Sequence, residues 1–414
     1  MIVGTAMVLA ARLNAQPPPP EAPRVGLYDT VAAVLKSRWP DKAKRRFIIV
    51  PLIEENRSRA DSARTFGEEA EAVQALLRKI PSSHLGLTSA TAAHALTAAL
   101  TGAREPMFGM QLMRWQGRWY ATTVLDGGPA QRAGIRNWDE VLLIDGVTPE
   151  RSPRLDFRTD DAYLGDDRDP PVHPLLASTV AMARFSVRAA PDSVLTIDVQ
   201  AEDYSAWQGS QASLDVIDVD GVRVGFVHLW YMHMKDVSGW LDARFDDEWR
   251  NVDALVLDAR GRGGDGSLAS RIADLIGGAG RDARFRGPVV VLQDRQTRSA
   301  KEMLVEILKQ RGIARLVGEP TAGAVIPSGS VSLGHGMTLL MPVSAVKTEL
   351  DGLELHPVMP DVPVQWGGPL SGGSDPILQA GLREAKRLVE TRGRGAVLPG
   401  PAILDGKTKA LRPD

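Results

Sequence analysis

From about residue 215 onward, apolar runs alternate with segments of helical periodicity, and this alternation constrains the fold more than any other feature. We predict strands in VRVGFVHLW, DALVLDAR, GPVVVLQD and ARLVGEP, a hairpin in SGSVSLGHGMTLLMPVSAV, and helices in VSGWLDARFDDEWR, SLASRIADLIGG, SAKEMLVEILKQRG and DPILQAGLREAKRLVE. Uninterrupted apolar runs are typical of strands that are buried on both faces of a sheet. The alternation predicts an α/β domain, which we place at residues 206–390.

The residues before this domain show two other patterns. Residues 26–105 contain three helix-like stretches, LYDTVAAVLKSRW, ARTFGEEAEAVQALLRKI and TSATAAHALTAAL, and the last begins with a Thr/Ser capping signal. Residues 106–205 contain short strands separated by turn signals. We therefore predict a multidomain α/β (α+β) protein with a helical N-terminal domain or lid, a β-rich domain, the α/β domain and a C-terminal tail at residues 391–414.

Residues 1–25 are predicted to form a signal-like or disordered N-terminus. The stretch MIVGTAMVLAARLNAQ is apolar and ends in small residues, and PPPPEAP follows it. This pattern resembles a signal peptide that lacks a basic n-region, and it is too short for a normal membrane span. We expect a periplasmic or extracellular protein without an integral membrane span, and a cytoplasmic location is the alternative.

The composition excludes several classes of function. The formal net charge of -2 argues against general binding of nucleic acid or anionic membranes. The chain contains no cysteine, which excludes thiolate catalysis, disulfides and cysteine-based zinc sites. No spacing of His, Asp and Glu indicates a metal site, so we expect neither a metal nor another cofactor. The oligomeric state does not follow from the sequence.

A glycine cluster, DARGRGGDGS, follows the second predicted strand of the α/β domain at residues 258–267. Glycines at the carboxyl end of a strand allow backbone N–H groups to point into a site. Such groups suit a phosphate or a reacting oxyanion equally well. The cluster is neither a Walker motif nor GxGxxG, and a plain tight turn remains an alternative.

Ser299 stands where the strand GPVVVLQD gives way to the helix SAKEMLVEILKQRG. A serine at this position is either a helix N-cap or a nucleophile at the carboxyl end of a strand. Because the glycine cluster follows the neighbouring strand, its backbone donors and the Ser299 hydroxyl are expected to face one pocket. Acyl transfer needs that combination of a nucleophile and oxyanion donors. The residues alone leave both interpretations open.

The stretch FGMQLMRWQGRWYATTVLDGGPAQRAGIRNWDEVLLIDGVTP resembles a PDZ domain. In that family, a loop equivalent to Phe108, Gly109 and Met110 receives the terminal carboxylate of a peptide on backbone N–H groups. The peptide then adds as an extra strand to the edge of the sheet. GPAQRAGI corresponds to the helix that walls the groove. The Asp/Pro-rich stretch at residues 151–174 is an unusual insertion, which we predict to be a mobile loop.

Residues 222–388 resemble the catalytic domain of the carboxyl-terminal processing and tricorn-like serine peptidases. The matching pieces occur in the order and at the spacing of that family: LVLDARGRGG (255–264), VVVLQDRQTRSAKE (289–302), RLVGEPTAGAV (315–325) and LELHPVMPDVPV (353–364). The resemblance implies a crotonase- or ClpP-like α/β peptidase core, with the helical N-terminal segment closing over the site as a lid. It also implies that Ser299 is the nucleophile.

The family activates its serine in two ways, and the sequence favours one of them. One branch carries a lysine where this chain has Ala324. The tricorn-like branch uses a Ser-His pair before the PDZ insert, matched by Ser83 and His84, and a glutamate before a Pro-Asp pair, matched by Glu354. The resemblance therefore implies a Ser-His-Ser-Glu set. In it His84 takes the proton of Ser299, Ser83 forms a hydrogen bond within the network, and Glu354 supports the imidazolium or the Ser83 hydroxyl.

The backbone N–H groups of Gly264 and Ala300 are the candidates for the oxyanion hole, with Gly263 as the substitute for Gly264. His228 and His233 are the fallback bases if His84 points away from Ser299.

Other ionisable residues near the motifs are assigned structural roles. We expect His94, His335 and His356 to lie on the surface or in loops. Lys301 is two positions after Ser299 on the same helix, so it should face elsewhere and serve poorly as a base. Asp258 and Arg260 should hold the glycine cluster by ion pairing.

The function predicted from these features is hydrolysis of peptide bonds through an acyl-enzyme, with the PDZ-like domain capturing the termini of peptides or unfolded proteins. A catalytically inactive peptide-binding protein on the same scaffold is the alternative. It is suggested by Arg262, where the family has asparagine, and by Asp265, where the family has glycine, because an intruding Asp265 would spoil the oxyanion hole. A crotonase-type acyl-CoA enzyme is disfavoured by the PDZ-like insert and by the lack of a basic nucleotide-binding surface.

Overall fold

The computed structural model describes residues 23–156, 162–164, 172–178, 181–233, 237–277, 283–344, 351–365 and 374–392. Its α-helices are α1 (Leu27–Arg38), α2 (Lys42–Lys44), α3 (Val50–Glu55), α4 (Arg57–Ser62), α5 (Phe66–Leu77), α6 (Ala90–Thr101), α7 (Pro129–Ala133), α8 (Ala206–Ala212), α9 (Val237–Arg244), α10 (Leu268–Gly277), α11 (Ala300–Gln310) and α12 (Pro376–Arg392). The predicted signal-like segment and C-terminal tail lie almost wholly outside the described residues.

Within the described part of the chain, the strands form four sheets. The strands are β1 (Gly86–Ser89), β2 (Glu105–Met107), β3 (Gln111–Trp115), β4 (Arg118–Thr122), β5 (Glu140–Ile144), β6 (Val172–Pro174), β7 (Met182–Ala190), β8 (Ser193–Gln200), β9 (Glu202–Tyr204), β10 (Asp215–Val219), β11 (Val222–His228), β12 (Ala254–Asp258), β13 (Val289–Gln293), β14 (Ala314–Gly318), β15 (Ser328–Gly334), β16 (Met337–Pro342) and β17 (Val362–Pro363). The mixed α/β architecture predicted from the sequence is confirmed.

The core sheet has the strand order β10-β11-β12-β13-β14-β17. Strands β11 to β14 run parallel to their neighbours, whereas β10 pairs antiparallel with β11. Helices α9, α10 and α11 pack on one face of this sheet, and α12 packs on the other. Every residue of β12 and β13 is buried, as the uninterrupted apolar runs predicted. Because the strands are parallel, their carboxyl ends meet at one edge of the sheet.

A second six-stranded sheet has the order β6-β3-β4-β5-β7-β8, and it corresponds to the β-rich region of the sequence. Its core contains Phe108 and Phe185, whose ring centroids are 5.8 Å apart. The short ribbon of β2 and β9 brings the beginning and the end of this region together.

The N-terminal helices pack against a third sheet with the order β1-β16-β15. Helix α6 begins at the predicted place, because the Ser89 hydroxyl accepts a hydrogen bond from the N–H of Ala92 at 2.9 Å. Strand β1 was not predicted. It pairs antiparallel with β16, which belongs to the α/β part of the chain, and so attaches the N-terminal residues to that part. Among the residues described, no helix combines the length and the apolarity needed to span a membrane.

Candidate active site

Ser299 lies between β13 and α11, at the N-cap position of the helix, yet its hydroxyl does not cap the helix. Its backbone angles are φ 55° and ψ -129°, which is the left-handed region that non-glycine residues seldom adopt. The N–H of Ser299 donates to the carbonyl oxygen of Ala324 at 2.7 Å. Strained turns between a strand and a helix are typical of exposed nucleophiles. The capping interpretation therefore does not account for this serine.

Ser83, His84 and Glu354 form one hydrogen-bonded network, although Glu354 is 271 residues from Ser83. The Oγ of Ser83 lies 2.9 Å from Nδ1 of His84 and 2.9 Å from Oε2 of Glu354. Oε1 of Glu354 also accepts from the N–H of Ser83 at 2.7 Å. All three of these residues come from segments that the sequence assigned to the candidate site.

The donors around Glu354 settle the direction of the hydrogen bonds. Its carboxylate accepts from the N–H and the hydroxyl of Ser83 and from the N–H groups of Val325 and Ile326 at 3.2 Å each. Because the Ser83 hydroxyl donates to Glu354, its oxygen is an acceptor toward His84. The proton of the His84 ring therefore lies on Nδ1, and Nε2 is the basic nitrogen.

The loop at residues 321–326 connects Ser299 to this network. Ala324 accepts from the N–H of Ser299, and the next residue, Val325, donates to Glu354. Glu302, on the first turn of α11, holds the loop because its carboxylate accepts from the Thr321 hydroxyl and from the N–H groups of Gly323 and Ala324, the last two at 2.8 Å. Burial raises the pKa of Glu302 to about 7.

Three residues of the glycine cluster, Gly261, Gly263 and Gly264, have a positive φ. Gly264 has φ 143°, and a Cβ built there would lie 2.5 Å from the carbonyl oxygen of Met232, so no larger residue fits without rearrangement. Gly263 also has a positive φ, and its carbonyl accepts from the N–H of Met232 at 3.3 Å. Within the described part of the chain, the N–H groups of Gly264 and Ala300 donate to no protein acceptor. Both groups are therefore available as donors.

The two departures from the family pattern in this turn leave the donors uncovered. The carboxylate of Asp265 accepts from the N–H of Ser267 at 2.9 Å, so it is held at the start of α10. The guanidinium of Arg262 is buried and donates from Nε to Oε1 of Gln296 at 3.2 Å. The structure thus offers no support for the idea that Asp265 spoils the hole.

The fallback histidines contact other groups. His228 stacks on Trp230, with ring centroids 3.7 Å apart, and its Nδ1 lies 3.8 Å from Asp126 and 3.9 Å from Asp258. His233 is fully buried and packs edge-on against Trp207, with centroids 4.3 Å apart. His84 is therefore the histidine that the structure links to Ser83 and Glu354.

The three histidines that were assigned to the surface or to loops are where the sequence placed them. His94 is exposed and its Nε2 lies 2.6 Å from Glu105. His335 lies in the β15–β16 turn with φ 50°, and His356 is exposed next to the site.

A buried ion cluster holds the beginning of the glycine cluster in position. The guanidinium of Arg260 donates to the carboxylates of both Asp258 and Asp375, with closest distances of 2.6 and 2.7 Å. Burial opposes the ionisation of Asp258, but the adjacent Arg260 outweighs it and holds the pKa of that carboxyl well below its usual range. Ion pairing of Asp258 and Arg260 was expected from the sequence, whereas the pair of Arg260 with Asp375 was not.

Lys301 belongs to this cluster, and its role was missed. Its side chain is fully buried, and Nζ donates to the carbonyl oxygen of Arg260 at 2.7 Å. Burial lowers the pKa of the ammonium to about 7. The signal was present in the sequence: Lys301 is three, four and seven positions before Leu304, Val305 and Leu308, and therefore lies on the apolar face of α11.

A cavity of about 470 Å³ lies between the second sheet and the core. Its walls include Arg136 and Trp138 from the second sheet region, and His228, Arg260 and Asp375 from the core. Ser299 and the Ser83–His84–Glu354 network are not among its lining residues, so this cavity is not the candidate active site.

The predicted peptide-binding loop, Phe108 to Met110, leads into strand β3 of the second sheet. Phe108 and Met110 are buried, and the carbonyl of Gly109 accepts from the N–H of Leu125 at 2.9 Å. Strand β3, which follows this loop, is not an edge strand, because β6 pairs antiparallel with it from Val172 to Pro174. A peptide strand can pair with this part of β3 only if β6 is displaced from it. The stretch at residues 151–174, which was predicted to be a mobile loop, ends in β6, and its residues 157–161 and 165–171 lie outside the described part of the chain.

Comparisons with known proteins agree with this architecture. Residues 223–364 match the profile of peptidase family S41. The chain is 26% identical over 336 residues to tricorn protease homolog 2 of Streptomyces coelicolor. The aligned region covers 69% of this chain and 26% of that protein. It is 26% identical over 279 residues to the carboxyl-terminal-processing protease of Picosynechococcus sp., which covers 62% and 63% of the two chains. The chain thus spans less than two thirds of the length of either relative.

Solved structures show the same fold. The photosystem II D1 C-terminal processing protease superposes with a TM-score of 0.52 at 19% identity, over 85% of this chain and 97% of that one. Mature CPAF superposes with a TM-score of 0.51 at 13% identity, over 90% and 99% of the two chains. These matches confirm the resemblance to carboxyl-terminal processing and tricorn-like peptidases. Residues 223–364 are therefore a domain of peptidase family S41.

Proposed function

We propose that the protein is a serine peptidase that hydrolyses peptide bonds through an acyl-enzyme on Ser299, with His84 as the general base. The observation that carries this proposal is the loop at residues 323–326. It accepts from the N–H of Ser299 through Ala324, and it donates to Glu354 through the next residue. This loop joins the strained serine to the Ser83–His84–Glu354 network.

The reaction follows from the protonation states in the network. The Oγ of Ser299 attacks the carbonyl carbon of the scissile bond, and its proton moves to Nε2 of His84. The positive charge on His84 is stabilised through Ser83, which relays the Nδ1–H hydrogen bond to the carboxylate of Glu354. The C–N bond then breaks, and His84 delivers its proton to the departing amine. Water repeats the same steps on the acyl-enzyme and releases the carboxylic acid.

The negative oxygen of the tetrahedral intermediate is assigned to the N–H groups of Gly264 and Ala300. Removal of one such donor typically lowers the rate by about 10²- to 10³-fold. Gly264 holds its donor in place because the chain segment around Met232 packs directly against it. Gly263, the substitute named from the sequence, has its carbonyl bound to this same segment.

Labelling with a fluorophosphonate tests the proposal. We expect wild-type protein to be labelled, and Ser299→Ala and His84→Ala to lose labelling by about 10³-fold or more, because nucleophile and base act as a unit. His94→Ala is the matched control, since His94 is exposed and pairs with Glu105. Labelling that survives in His84→Ala would exclude His84 as the base, and a folded wild type that is never labelled would contradict the peptidase function.

The catalytically inactive peptide-binding protein is the competing function, and it needs an accessible sheet edge. The pairing of β6 with β3 occupies the edge that this alternative requires. The uncovered donors of Gly264 and Ala300 favour the enzyme. Capture of peptide termini by the second sheet remains part of the proposal. It requires that β6 is displaced from β3.

The cellular location is proposed from the first residues of the sequence. We propose export, because MIVGTAMVLAARLNAQ is apolar and ends in small residues. Mass spectrometry of protein recovered from the periplasm of a bacterial host tests this. Loss of about the first 16 residues is expected, and an intact N-terminus on cytoplasmic protein would contradict it.

A further inference from the structure

The insertion in the second sheet contacts the walls of the candidate active site through residues 162–164. The N–H of Ala162 donates to the carbonyl oxygen of Leu85 at 3.0 Å. The side chain of Leu164 is buried against Ala322, Ala324 and Leu355. These contacts cross from one region of the chain to two others, so they are not explained by local folding of the insertion.

Each of these contacts lies next to a residue of the proposed catalytic set. Leu85 follows His84, and Leu355 follows Glu354. Ala324 accepts the hydrogen bond from the N–H of Ser299. Leu164 therefore occupies a recess beside the residue that binds the N–H of Ser299.

The recess is apolar. Ala322 and Ala324 are both completely buried, and the surface of these two side chains, which we call the floor of the recess, packs against Leu164 and Leu355. Because each alanine has only a methyl group, the floor leaves space for a leucine side chain. Pockets of this kind select apolar side chains because a charged group would lose its water without gaining a partner.

The same insertion occupies a second position at which a peptide would bind. Strand β6 pairs with β3 in the register Gln111–Pro174, Leu112–His173 and Met113–Val172. The beginning of the insertion is also bound to the residues that follow it, because the N–H of Leu176 donates to the carbonyl oxygen of Arg154 at 2.7 Å. An added strand on β3 is the geometry of peptide capture by a sheet edge.

We infer that the recess of Ala322, Ala324 and Leu355 is a subsite for an apolar side chain of the substrate, and that Leu164 occupies it as an internal ligand. The inference rests on the proposed peptidase function and assigns it a substrate class, namely extended peptides with a leucine-like residue near the scissile bond. Such a substrate competes with Leu164, so its apparent affinity is reduced by the fraction of molecules in which the recess is filled.

Peptide binding to protein carrying Ser299→Ala tests this without turnover. The probes are two fluorescein-labelled decapeptides that differ only in having leucine or aspartate at their central positions, and the readout is fluorescence anisotropy. Leu164→Ala is expected to tighten binding of the leucine peptide about tenfold, because it empties the recess. The aspartate peptide should bind equally weakly with and without the substitution.

Two further variants control for effects on folding. Leu176→Ala removes the same side chain from an exposed position two residues after the insertion and should leave both affinities unchanged. Ala322→Val fills the recess from its floor and should cancel the gain produced by Leu164→Ala. Circular dichroism verifies that each variant is folded. Equal tightening of both peptides, or no change for the leucine peptide, overturns the inference.

Fluorophosphonate labelling of protein with Ser299 intact separates this result from the proposed function. Labelling without leucine selectivity would leave the peptidase and remove the subsite. Leucine selectivity without labelling would leave the subsite and remove the peptidase.

Discussion

Two buried polar clusters lie at the carboxyl ends of the core strands, and they are built in different ways. The Ser83–His84–Glu354 network uses hydrogen bonds among a hydroxyl, an imidazole and one carboxylate. The ion cluster joins two carboxylates through the guanidinium of Arg260. The network joins residues that are 271 positions apart, whereas Asp258 and Arg260 of the ion cluster are two positions apart.

The difference matches the two roles that we propose, a structural role for the ion cluster and a reactive role for the network. In the ion cluster the Arg260 guanidinium and the carboxylates of Asp258 and Asp375 lie at hydrogen-bond distance, so the ion pairs hold the glycine cluster in position. In the network, the hydrogen bond to Ser83 engages Nδ1 of His84, and the Ser299 hydroxyl does not cap its helix. Paired charges stabilise a loop, whereas acid–base catalysis needs a group that can accept and release a proton.

The largest effect is expected from breaking the ion cluster. Asp258→Ala leaves the buried guanidinium of Arg260 with one carboxylate where it had two, and we expect a loss of about 3–5 kcal/mol in the free energy of unfolding. Urea unfolding measures it. Asp246→Ala, at an exposed ion pair with Arg284, is the control and should cost much less, because solvent screens an exposed pair. Equal losses in the two variants would show that the buried pair has no special structural role.

The next largest effect is expected from the oxyanion donor. Gly264→Ala places a Cβ against Met232 at a φ of 143°, so the turn must move. Fluorophosphonate labelling should slow by about 10²- to 10³-fold. Gly312→Ala is the matched control, because Gly312 also has a positive φ but has open space around it. Unchanged labelling in Gly264→Ala would exclude this N–H as an oxyanion donor.

A smaller effect is expected in the network. Ser83→Ala removes the bridge between His84 and Glu354, so the ring loses the partner that selects its tautomer. We expect labelling to fall about 10- to 100-fold, which is the usual cost of losing a group that orients a functional histidine. Ser83→Thr retains the hydroxyl and should restore most of the rate. A threonine variant as slow as the alanine variant would point to packing as the role of Ser83.

The last prediction concerns a dependence of stability on pH. Lys301 has a pKa lowered to about 7 in the folded protein, against an ordinary value of 10.5 in the unfolded chain. Between these values the unfolded chain binds more protons, so the Lys301 contribution to the free energy of unfolding rises with pH. Lys301→Met should lack this rise, as measured by urea unfolding from pH 7 to 10. Parallel curves for wild type and variant would show that Lys301 keeps its ordinary pKa.

Local sequence signals predicted much of the core. The uninterrupted apolar runs of β12 and β13, the cap at Ser89 and the position of Ser299 between strand and helix all depend on neighbours in sequence, and the structure has each of them. The role of Lys301 was missed because its charge suggested exposure, although its spacing placed it on the buried face of α11.

By itself, the sequence determined the types of element, their order and the chemistry of the residues at the strand ends, because periodicity and turn residues act over a few positions. Only the tertiary structure decided which of these residues meet. The pairing of β1 with β16 brings Ser83 and His84 to Glu354, and the pairing of β6 with β3 closes the edge of the second sheet. Such pairings join segments far apart in the chain, where register and burial of the whole fold outweigh any local preference.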